Sequence, residues 1–111
     1  MSEIPKAIRT QVYERDQWCR RCGRSGGPFS IHHRKGRRSH DLSNLVLLCG
    51  TGTTGCHGYI TEHPAEAYDT GWCVHRLSDD NPEQIPLTDL HGRQFFLADA
   101  GGDITNIWEH A

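Results

Sequence analysis

Four cysteines arranged as two pairs constrain the fold of this chain more than any other feature of its sequence. Cys19 and Cys22 are separated by two residues, whereas Cys49 and Cys56 flank a loop rich in glycine and threonine. Four thiolates can close a tetrahedral zinc site. Such a site suits a chain of 111 residues of which 35% are hydrophobic, because so short a chain has a small core. The sequence therefore predicts that these cysteines bind a structural Zn²⁺.

Other states of the cysteines are compatible with the spacing. The chain has five cysteines, so they cannot all pair as disulfides within one chain. Cys19 and Cys22 could be free thiols or a redox pair, although a redox motif of this type ordinarily lies near a βαβ unit, and the sequence shows no such unit. Cys73 falls in a predicted strand, where we expect a buried thiol and not a metal ligand.

The periodicity of the apolar residues predicts an α+β fold. Helices are expected over residues 4–17, 56–61 and 65–70, and strands over residues 29–33, 44–49, 72–77, 94–97 and 104–108. We predict that residues 1–71 form the core of the domain and that residues 72–111 form a small C-terminal β extension packed on it. No apolar run is long enough to span a bilayer, and we expect a cytoplasmic protein that does not contact membranes.

Basic and acidic residues are unevenly distributed along the chain. The first 58 residues contain ten Lys and Arg and four Asp and Glu, whereas the remaining 53 contain two and ten. A basic half is expected when one face of a protein binds a polyanion. The candidates for phosphate contacts are Arg34, Lys35, Arg37 and Arg38 in one loop and Arg20, Arg21 and Arg24 at the first cysteine pair. A solvated basic loop with no ligand is the simpler alternative.

Histidines and an asparagine form a second motif among the cysteines. His32 and His33 are adjacent in a predicted strand, so their side chains point to opposite faces. Asn44 precedes an apolar run, and His57 directly follows Cys56. One histidine of the adjacent pair can therefore bind a metal ion while the other contacts a water molecule.

Together these motifs resemble the HNH endonuclease family, especially small phage and prophage members with four zinc-binding cysteines. The resemblance covers roughly residues 8–71, and it is carried by Val12, Arg15, Asp16, Cys19, Cys22, His32, His33, the run 42–49, Cys56, His57 and Gly58. It implies a ββα-metal core, in which a β-hairpin and the following helix surround one catalytic metal ion. An N-terminal helix and a zinc knuckle would accompany this core.

The resemblance also implies a role for each residue of the site. His32 and His57 would bind the catalytic metal ion, and His33 would be the general base, oriented by the side chain of Asn44. The four paired cysteines match the structural zinc site of the family. Many relatives have a further ligand or polar residue one helical turn after the helical histidine. Here that position is Thr61, and His63 is the other candidate for a third ligand.

The activity implied by the resemblance is hydrolysis of DNA phosphodiester bonds to 5′-phosphate and 3′-hydroxyl ends, with Mg²⁺, Mn²⁺, Ni²⁺ or Zn²⁺ as the catalytic cation. A monomer would most simply nick one strand, and a homodimer would cut both. Similarity to phage members allows a phage terminase as a partner and the host cytoplasm as the location. The main alternative is a non-catalytic zinc-binding module for nucleic acid, which accounts for the cysteines but not for His33 and Asn44. A ribonuclease is a second alternative.

Overall fold

The computed structural model describes residues 4–36, 39–100 and 103–105 of the chain. In chain order, the elements are helix α1 (Lys6–Asp16), strands β1 (Phe29–His33) and β2 (Leu45–Cys49), helices α2 (Gly55–Glu62) and α3 (Pro64–Asp69), and strands β3 (Leu87–Thr88), β4 (Gln94–Leu97) and β5 (Asp103–Thr105). β1 and β2 form one antiparallel sheet, and β3, β4 and β5 form another. The predicted α+β class is confirmed. None of the described helices is long and apolar enough to cross a membrane.

The β1–β2 hairpin is covered on both faces. All five residues of β2 are buried. Val46 packs in one core cluster with Ile60 of α2, and Leu47 packs in another cluster with Val12 of α1. A strand that is buried on both faces has an uninterrupted apolar sequence, which explains the apolar run of β2. The hairpin therefore presents one face of β1 to α2 and the other to α1.

Helix α1 is fixed to β2 by a buried carboxylate at its C-terminal end. Asp16 is 3% exposed, and it accepts a hydrogen bond from the backbone N–H of Leu47 at 2.9 Å. The guanidinium groups of Arg15 and Arg20 each donate to the same carboxylate at 2.7 Å. Because Gln17 has a positive φ of 66°, the helix ends at Asp16. These contacts hold the first cysteine pair, which follows α1, against the hairpin.

The prediction of a strand over residues 72–77 is wrong, because this segment forms turns. The N–H of Cys73 donates to the carbonyl oxygen of Ala67 in α3 at 3.0 Å, and the N–H of Val74 donates to that of Arg34 at 2.8 Å. These bonds tie the segment to α3 and to the end of β1 instead of to a neighbouring strand. Trp72 is 1% exposed, so the apolar character of the segment reflects core packing.

The C-terminal sheet shares a core with the hairpin. Leu87 of β3 and Phe95 of β4 are buried in one cluster with Trp72 and with residues of β2 and α2. The turn at residues 90–93 joins β3 to β4, and Gly92 within it has a positive φ of 81°. Of the strand predicted over residues 104–108, the first two residues belong to β5, and residues 106–108 lie outside the described part of the chain.

Candidate functional site

The four paired cysteines come together where three segments of the chain meet. Cys19 and Cys22 lie in the turn after α1, where the N–H of Gly23 donates to the carbonyl oxygen of Cys19 at 2.9 Å. Cys49 ends β2, and Cys56 lies in the first turn of α2. The four sulfur atoms all lie within 4.8 Å of one another. The prediction that these cysteines form one possible metal site is therefore confirmed.

The distances between the sulfur atoms fit a tetrahedral metal ion. Zn–S bonds of about 2.3 Å in tetrahedral geometry place the sulfur atoms about 3.8 Å apart. The Sγ atoms of Cys22 and Cys49 are 3.8 Å apart, which is far longer than a disulfide bond of about 2.05 Å. The four cysteines are not joined by disulfides, and a set of four sulfur ligands favours Zn²⁺ or an iron–sulfur centre over hard cations.

The wide spacing of the second cysteine pair is accommodated because the intervening loop folds back on itself. Gly50 and Gly55 have positive φ values of 86° and 62°. A Cβ on Gly55 would lie 2.6 Å from the carbonyl oxygen of Cys49, so a side chain is excluded at this crossing. The two glycines are the sequence signal that six intervening residues can still bring Cys49 and Cys56 to one ion.

Hydrogen bonds within the cluster distribute protons unequally among the sulfur atoms. The hydrogen bond with Cys56 lowers the pKa of Cys19 to about 4. The same hydrogen bond, together with burial, raises the pKa of Cys56. The backbone N–H of Cys56 also points at the Sγ atom of Cys49, at 3.4 Å. A cluster that already favours a thiolate is suited to exchange its remaining protons for a metal ion.

Arg21 packs on the cysteine cluster, contrary to the prediction that it contacts phosphate. Arg21 is 6% exposed, and its Nη1 atom donates to the Sγ atom of Cys56 at 3.3 Å. Its guanidinium lies over the ring of Tyr59 at 4.4 Å and is 3.6 Å from the carboxylate of Glu66. These contacts link the first cysteine pair to α2 and α3, so we assign Arg21 a structural role.

His32 on β1 and His57 on α2 face each other beside the cysteine cluster. Their ring centroids are 5.1 Å apart. The Nε2 atom of His32 lies 2.7 Å from the carbonyl oxygen of Trp72, so this nitrogen carries the proton of the neutral ring. The hydroxyl of Ser30 donates to Gly50 and lies 2.6 Å from Nδ1 of His57, which is therefore the donor in that contact. In the neutral rings, Nδ1 of His32 and Nε2 of His57 are then the unprotonated nitrogens, and metal ions bind histidine through an unprotonated nitrogen.

Burial keeps His32 in the form that binds metal ions. Desolvation lowers the pKa of His32 to about 3, although the hydrogen bond to Trp72 raises it. The neutral imidazole is the metal-binding form of histidine. Cys73 lies next to this ring, with its Sγ atom 3.9 Å from Nε2 of His32. Burial raises the pKa of the Cys73 thiol, in keeping with its prediction as a thiol outside the cysteine site.

Thr61 and His63, the candidates for a third ligand, have other partners. The hydroxyl of Thr61 donates to the carbonyl oxygen of His57 at 2.9 Å. The ring of His63 stacks on Tyr59 with centroids 3.9 Å apart, and its Nδ1 atom is 2.8 Å from the carbonyl oxygen of that residue. Both side chains are exposed. These contacts do not support either candidate as a third ligand. Within the described residues, the cysteine cluster is the one group of three or more potential ligands.

His33 lies on the opposite face of β1 from His32, as the alternation of a strand requires. Its Nε2 atom is 3.4 Å from the Nδ1 atom of His40. The ring also lines a groove between α1 and β1. The hairpin therefore places the two adjacent histidines on opposite faces, as the sequence predicts, and their roles stay predictions.

Asn44 holds the loop between β1 and β2. Its Oδ1 atom accepts from the N–H of Lys35 at 2.7 Å. Its Nδ2 atom donates to the carbonyl oxygens of Gly36 and Ser39 at 3.0 and 2.9 Å. Asn44 therefore ties together the loop that follows His33. That the side chain of Asn44 orients the ring of His33 stays a prediction.

Arg34 is buried, and the prediction that it contacts phosphate is wrong. It is 2% exposed. Its guanidinium donates at 2.8 to 2.9 Å to four carbonyl oxygens, those of Ser43, Gly71, Pro82 and Ile85. Desolvation by burial lowers the pKa of Arg34 to about 10, so the group remains a cation at neutral pH.

The other predicted phosphate contacts differ in their surroundings. The Nζ atom of Lys35 donates to the carbonyl oxygens of residues 78 and 80 at 2.8 and 2.5 Å. Arg20 lies over the ring of Phe95 at 4.2 Å and donates to the carboxylate that ends α1, so both residues brace the fold. Arg24 is exposed. Arg37 and Arg38 lie outside the described residues, and their predicted role stays a prediction.

The groove between α1 and β1 contains residues that the motifs do not reveal. It has a volume of about 760 Å³, and its lining includes Lys6, Arg9 and Tyr13 of α1 and Ile31 and His33 of β1. The three α1 residues are spaced at i, i+3 and i+7, which places them on one face of a helix. That spacing is the sequence signal for this face.

Comparison with protein-family models, curated proteins and solved structures gives no significant match to this chain.

Proposed function

We propose that this protein is a metal-dependent nuclease of the HNH type that hydrolyses DNA phosphodiester bonds, with His33 as its general base. The observation that carries the proposal is the approach of His32 on β1 to His57 on α2, with ring centroids 5.1 Å apart. The resemblance of the sequence motifs to the HNH family supports the same roles. A structural site made of four thiolates has no use for these histidines.

The two roles come from opposite faces of β1, and because β1 is an edge strand of its two-stranded sheet, one phosphate beside that edge would have to meet both. His32 and His57 would hold a divalent cation through their unprotonated ring nitrogens. Such a cation, when bound, acts as a Lewis acid and offsets the charge that builds on a phosphate. On the other face, the imidazole of His33 can take the proton of the attacking water near neutral pH. His40 lies against Nε2 of His33 and restrains the orientation of its ring.

The choice of cation follows from the small number of protein ligands. Two imidazole nitrogens leave several coordination positions for water and for phosphate oxygens. Mg²⁺, Mn²⁺, Ni²⁺ and Zn²⁺ all accept a mixed set of this kind. We therefore propose that the site accepts more than one of these cations.

We further infer that the cysteine site holds a structural Zn²⁺. Four thiolates fill the coordination sphere of zinc and leave no open position for a substrate. The ion would join the turn after α1, the end of β2 and the start of α2. Because His57 directly follows Cys56, this anchor would also fix His57 relative to His32 on the hairpin.

A non-catalytic zinc-binding module for nucleic acid is the second candidate function. The contrast between the two sites favours it. The cysteine site has a complete set of four ligands, whereas His32 and His57 lack a third protein ligand within the described residues. Binding of DNA without cleavage under any divalent cation would be its signature.

Plasmid cleavage with added Mg²⁺ or Mn²⁺ tests the proposed function. We compare the wild type with His33→Ala and with a matched control, His91→Ala, whose histidine is exposed in the turn between β3 and β4. We expect the wild type and the control to nick or cut the plasmid. The His33→Ala variant should be slower by about 100-fold or more, the usual contribution of a general base.

Metal affinity separates the role of His33 from that of the metal ligands. The His32→Ala and His57→Ala variants should bind Mn²⁺ more weakly, and His33→Ala should bind it as the wild type does. Equal cleavage by the wild type and His33→Ala would contradict the role of His33. A wild type that binds DNA but does not cut it with any of the added cations would favour the binding module.

A further inference from the structure

We propose that the groove between α1 and β1 binds one strand of DNA, with Lys6 and Arg9 on its phosphates and Tyr13 against a base. This inference rests on the proposed nuclease function and adds to it the path of the substrate. The groove contains His33, so a DNA strand lying in it would pass the predicted general base.

The dimensions of the groove suit a short stretch of one strand. Lys6, Arg9 and Tyr13 follow one face of α1, whose 11 residues span about 16 Å at 1.5 Å per residue. One strand of a duplex carries a phosphate about every 3.4 Å along the axis. The face of α1 therefore matches roughly four or five successive phosphates.

The charge of the groove suits a polyanion. Lys6 and Arg9 are exposed, and within the described residues neither side chain forms an ion pair or a hydrogen bond. Glu14 also lines the groove, and the two cations leave an excess of positive charge. By contrast, Arg21 and Arg34 from the same basic half of the chain are buried. The unengaged cations of α1 are thus better placed to bind phosphate than these two predicted contacts.

The apolar part of the groove suits a nucleobase. Tyr13 is 43% exposed although it is a large aromatic residue, and Phe29 and Ile31 of β1 lie in the same lining. Proteins that bind a single strand combine a basic groove with aromatic side chains on which bases stack. This combination favours DNA over an acidic peptide, because the carboxylate side chains of such a peptide have no aromatic ring to stack on Tyr13.

Binding of a short fluorescein-labelled single-stranded oligonucleotide, measured by anisotropy over a range of salt concentrations without added divalent cation, tests the proposal. The variants are Lys6→Gln/Arg9→Gln, Arg9→Gln and Tyr13→Ala. The matched control is Arg93→Gln, because Arg93 is 76% exposed and pairs with Asp89 in the turn between β3 and β4. Thermal unfolding of each variant verifies that it is folded.

The slope of log K against log salt is negative, and each lost phosphate contact should reduce its magnitude by about 0.7 for a single strand. We therefore expect the magnitude of the slope to decrease by about 1.4 for the double variant, to decrease by half of that for Arg9→Gln, and not to change for Arg93→Gln. Tyr13→Ala should lower the affinity by about fivefold or more, as expected for a lost stacking contact, with the slope unchanged.

Plasmid cleavage by the same proteins distinguishes this proposal from the proposed function. If the wild type binds DNA and the double variant keeps its slope and affinity, the groove proposal is overturned, whether or not the proteins cut. If binding depends on Lys6 and Arg9 but the wild type cuts nothing, the groove proposal stands and the nuclease function is contradicted. A wild type that binds no DNA would overturn both.

Discussion

Arg34 joins segments that are far apart in the sequence. Its Nε atom donates to Gly71, one residue before the carbonyl that binds His32. Its Nη1 atom donates to Ser43, one residue before Asn44, and the remaining bonds hold residues 82 and 85. A planar guanidinium with five N–H groups can serve several carbonyl oxygens at once. Through these bonds Arg34 supports the residues around both adjacent histidines.

Replacement of Arg34 should strongly destabilise the protein. In Arg34→Met, several buried carbonyl oxygens lose their donor, at about 1–3 kcal/mol for each unsatisfied group. We expect the free energy of unfolding, measured in urea, to fall by at least about 3 kcal/mol. The control is Arg24→Met, since Arg24 is exposed, and it should change stability by less than about 0.5 kcal/mol. Equal unfolding midpoints for the two variants would contradict the role of Arg34.

At the scale of secondary structure, the start of α2 connects the two candidate metal sites. Cys56 belongs to the cysteine cluster, and His57, the next residue, faces His32. The helix must therefore lie close to the loop that precedes it. Gly58 permits this approach, because a Cβ at that position would lie 2.8 Å from the carbonyl oxygen of Thr53. A small shift of α2 would move ligands of both sites together.

A methyl group at Gly58 should disturb this contact. Alanine favours a helix interior over glycine by about 1 kcal/mol, yet Gly58→Ala should lower the free energy of unfolding by about 1–3 kcal/mol because the new Cβ overlaps the loop backbone. Gly52→Ala is the control, since a Cβ on Gly52 meets nothing within 4 Å. Urea unfolding of the two variants tests the contact. A Gly58→Ala variant at least as stable as the wild type would show that α2 can move away at no cost.

At the scale of the whole molecule, the cysteine site connects parts of the chain that a small core holds only weakly. Cys19 and Cys56 are separated by 36 residues, and the site joins them across the end of the hairpin. Much of the basic half of the chain contributes to the interior, with Arg15, Arg21 and Arg34 bonded to buried partners. The charge asymmetry therefore reflects internal hydrogen bonding as well as an outward-facing surface.

Removal of the inferred zinc ion should destabilise the whole fold. The binding free energy of a structural zinc ion is also folding free energy, so a strong chelator should lower Tm by about 10 °C or more. Cys49→Ser should have a similar effect, and elemental analysis should show about one zinc ion per wild-type chain. Cys73→Ser is the matched control, because Cys73 lies outside the cluster, and it should retain zinc. An unchanged Tm after complete removal of the metal would contradict a structural zinc site.

Local sequence patterns predicted the hairpin and helices well. The apolar strand β2, the strand containing His32 and His33, and the helix expected over residues 65–70 are all found near their predicted positions. Residues 72–77 were not predictable in the same way. Their apolar character suggested a strand, whereas the N–H groups of Cys73 and Val74 are bound by α3 and by the end of β1. Apolar patterning reports burial, and partners distant in the sequence decide the backbone conformation.

The sequence by itself determined which residue types are available and which of them recur at the spacing of a helix, a strand or a metal site. The two cysteine pairs were enough to predict one possible metal site, because thiolates with such spacing have few other uses. Only the tertiary structure decided which cations face solvent. Arg34 and Arg9 have the same side chain, but Arg34 is enclosed by carbonyl groups from three later segments and Arg9 lies on an open helix face. The physical reason is that hydrogen-bond partners and solvent exposure depend on contacts between distant segments, which residue type and spacing do not specify.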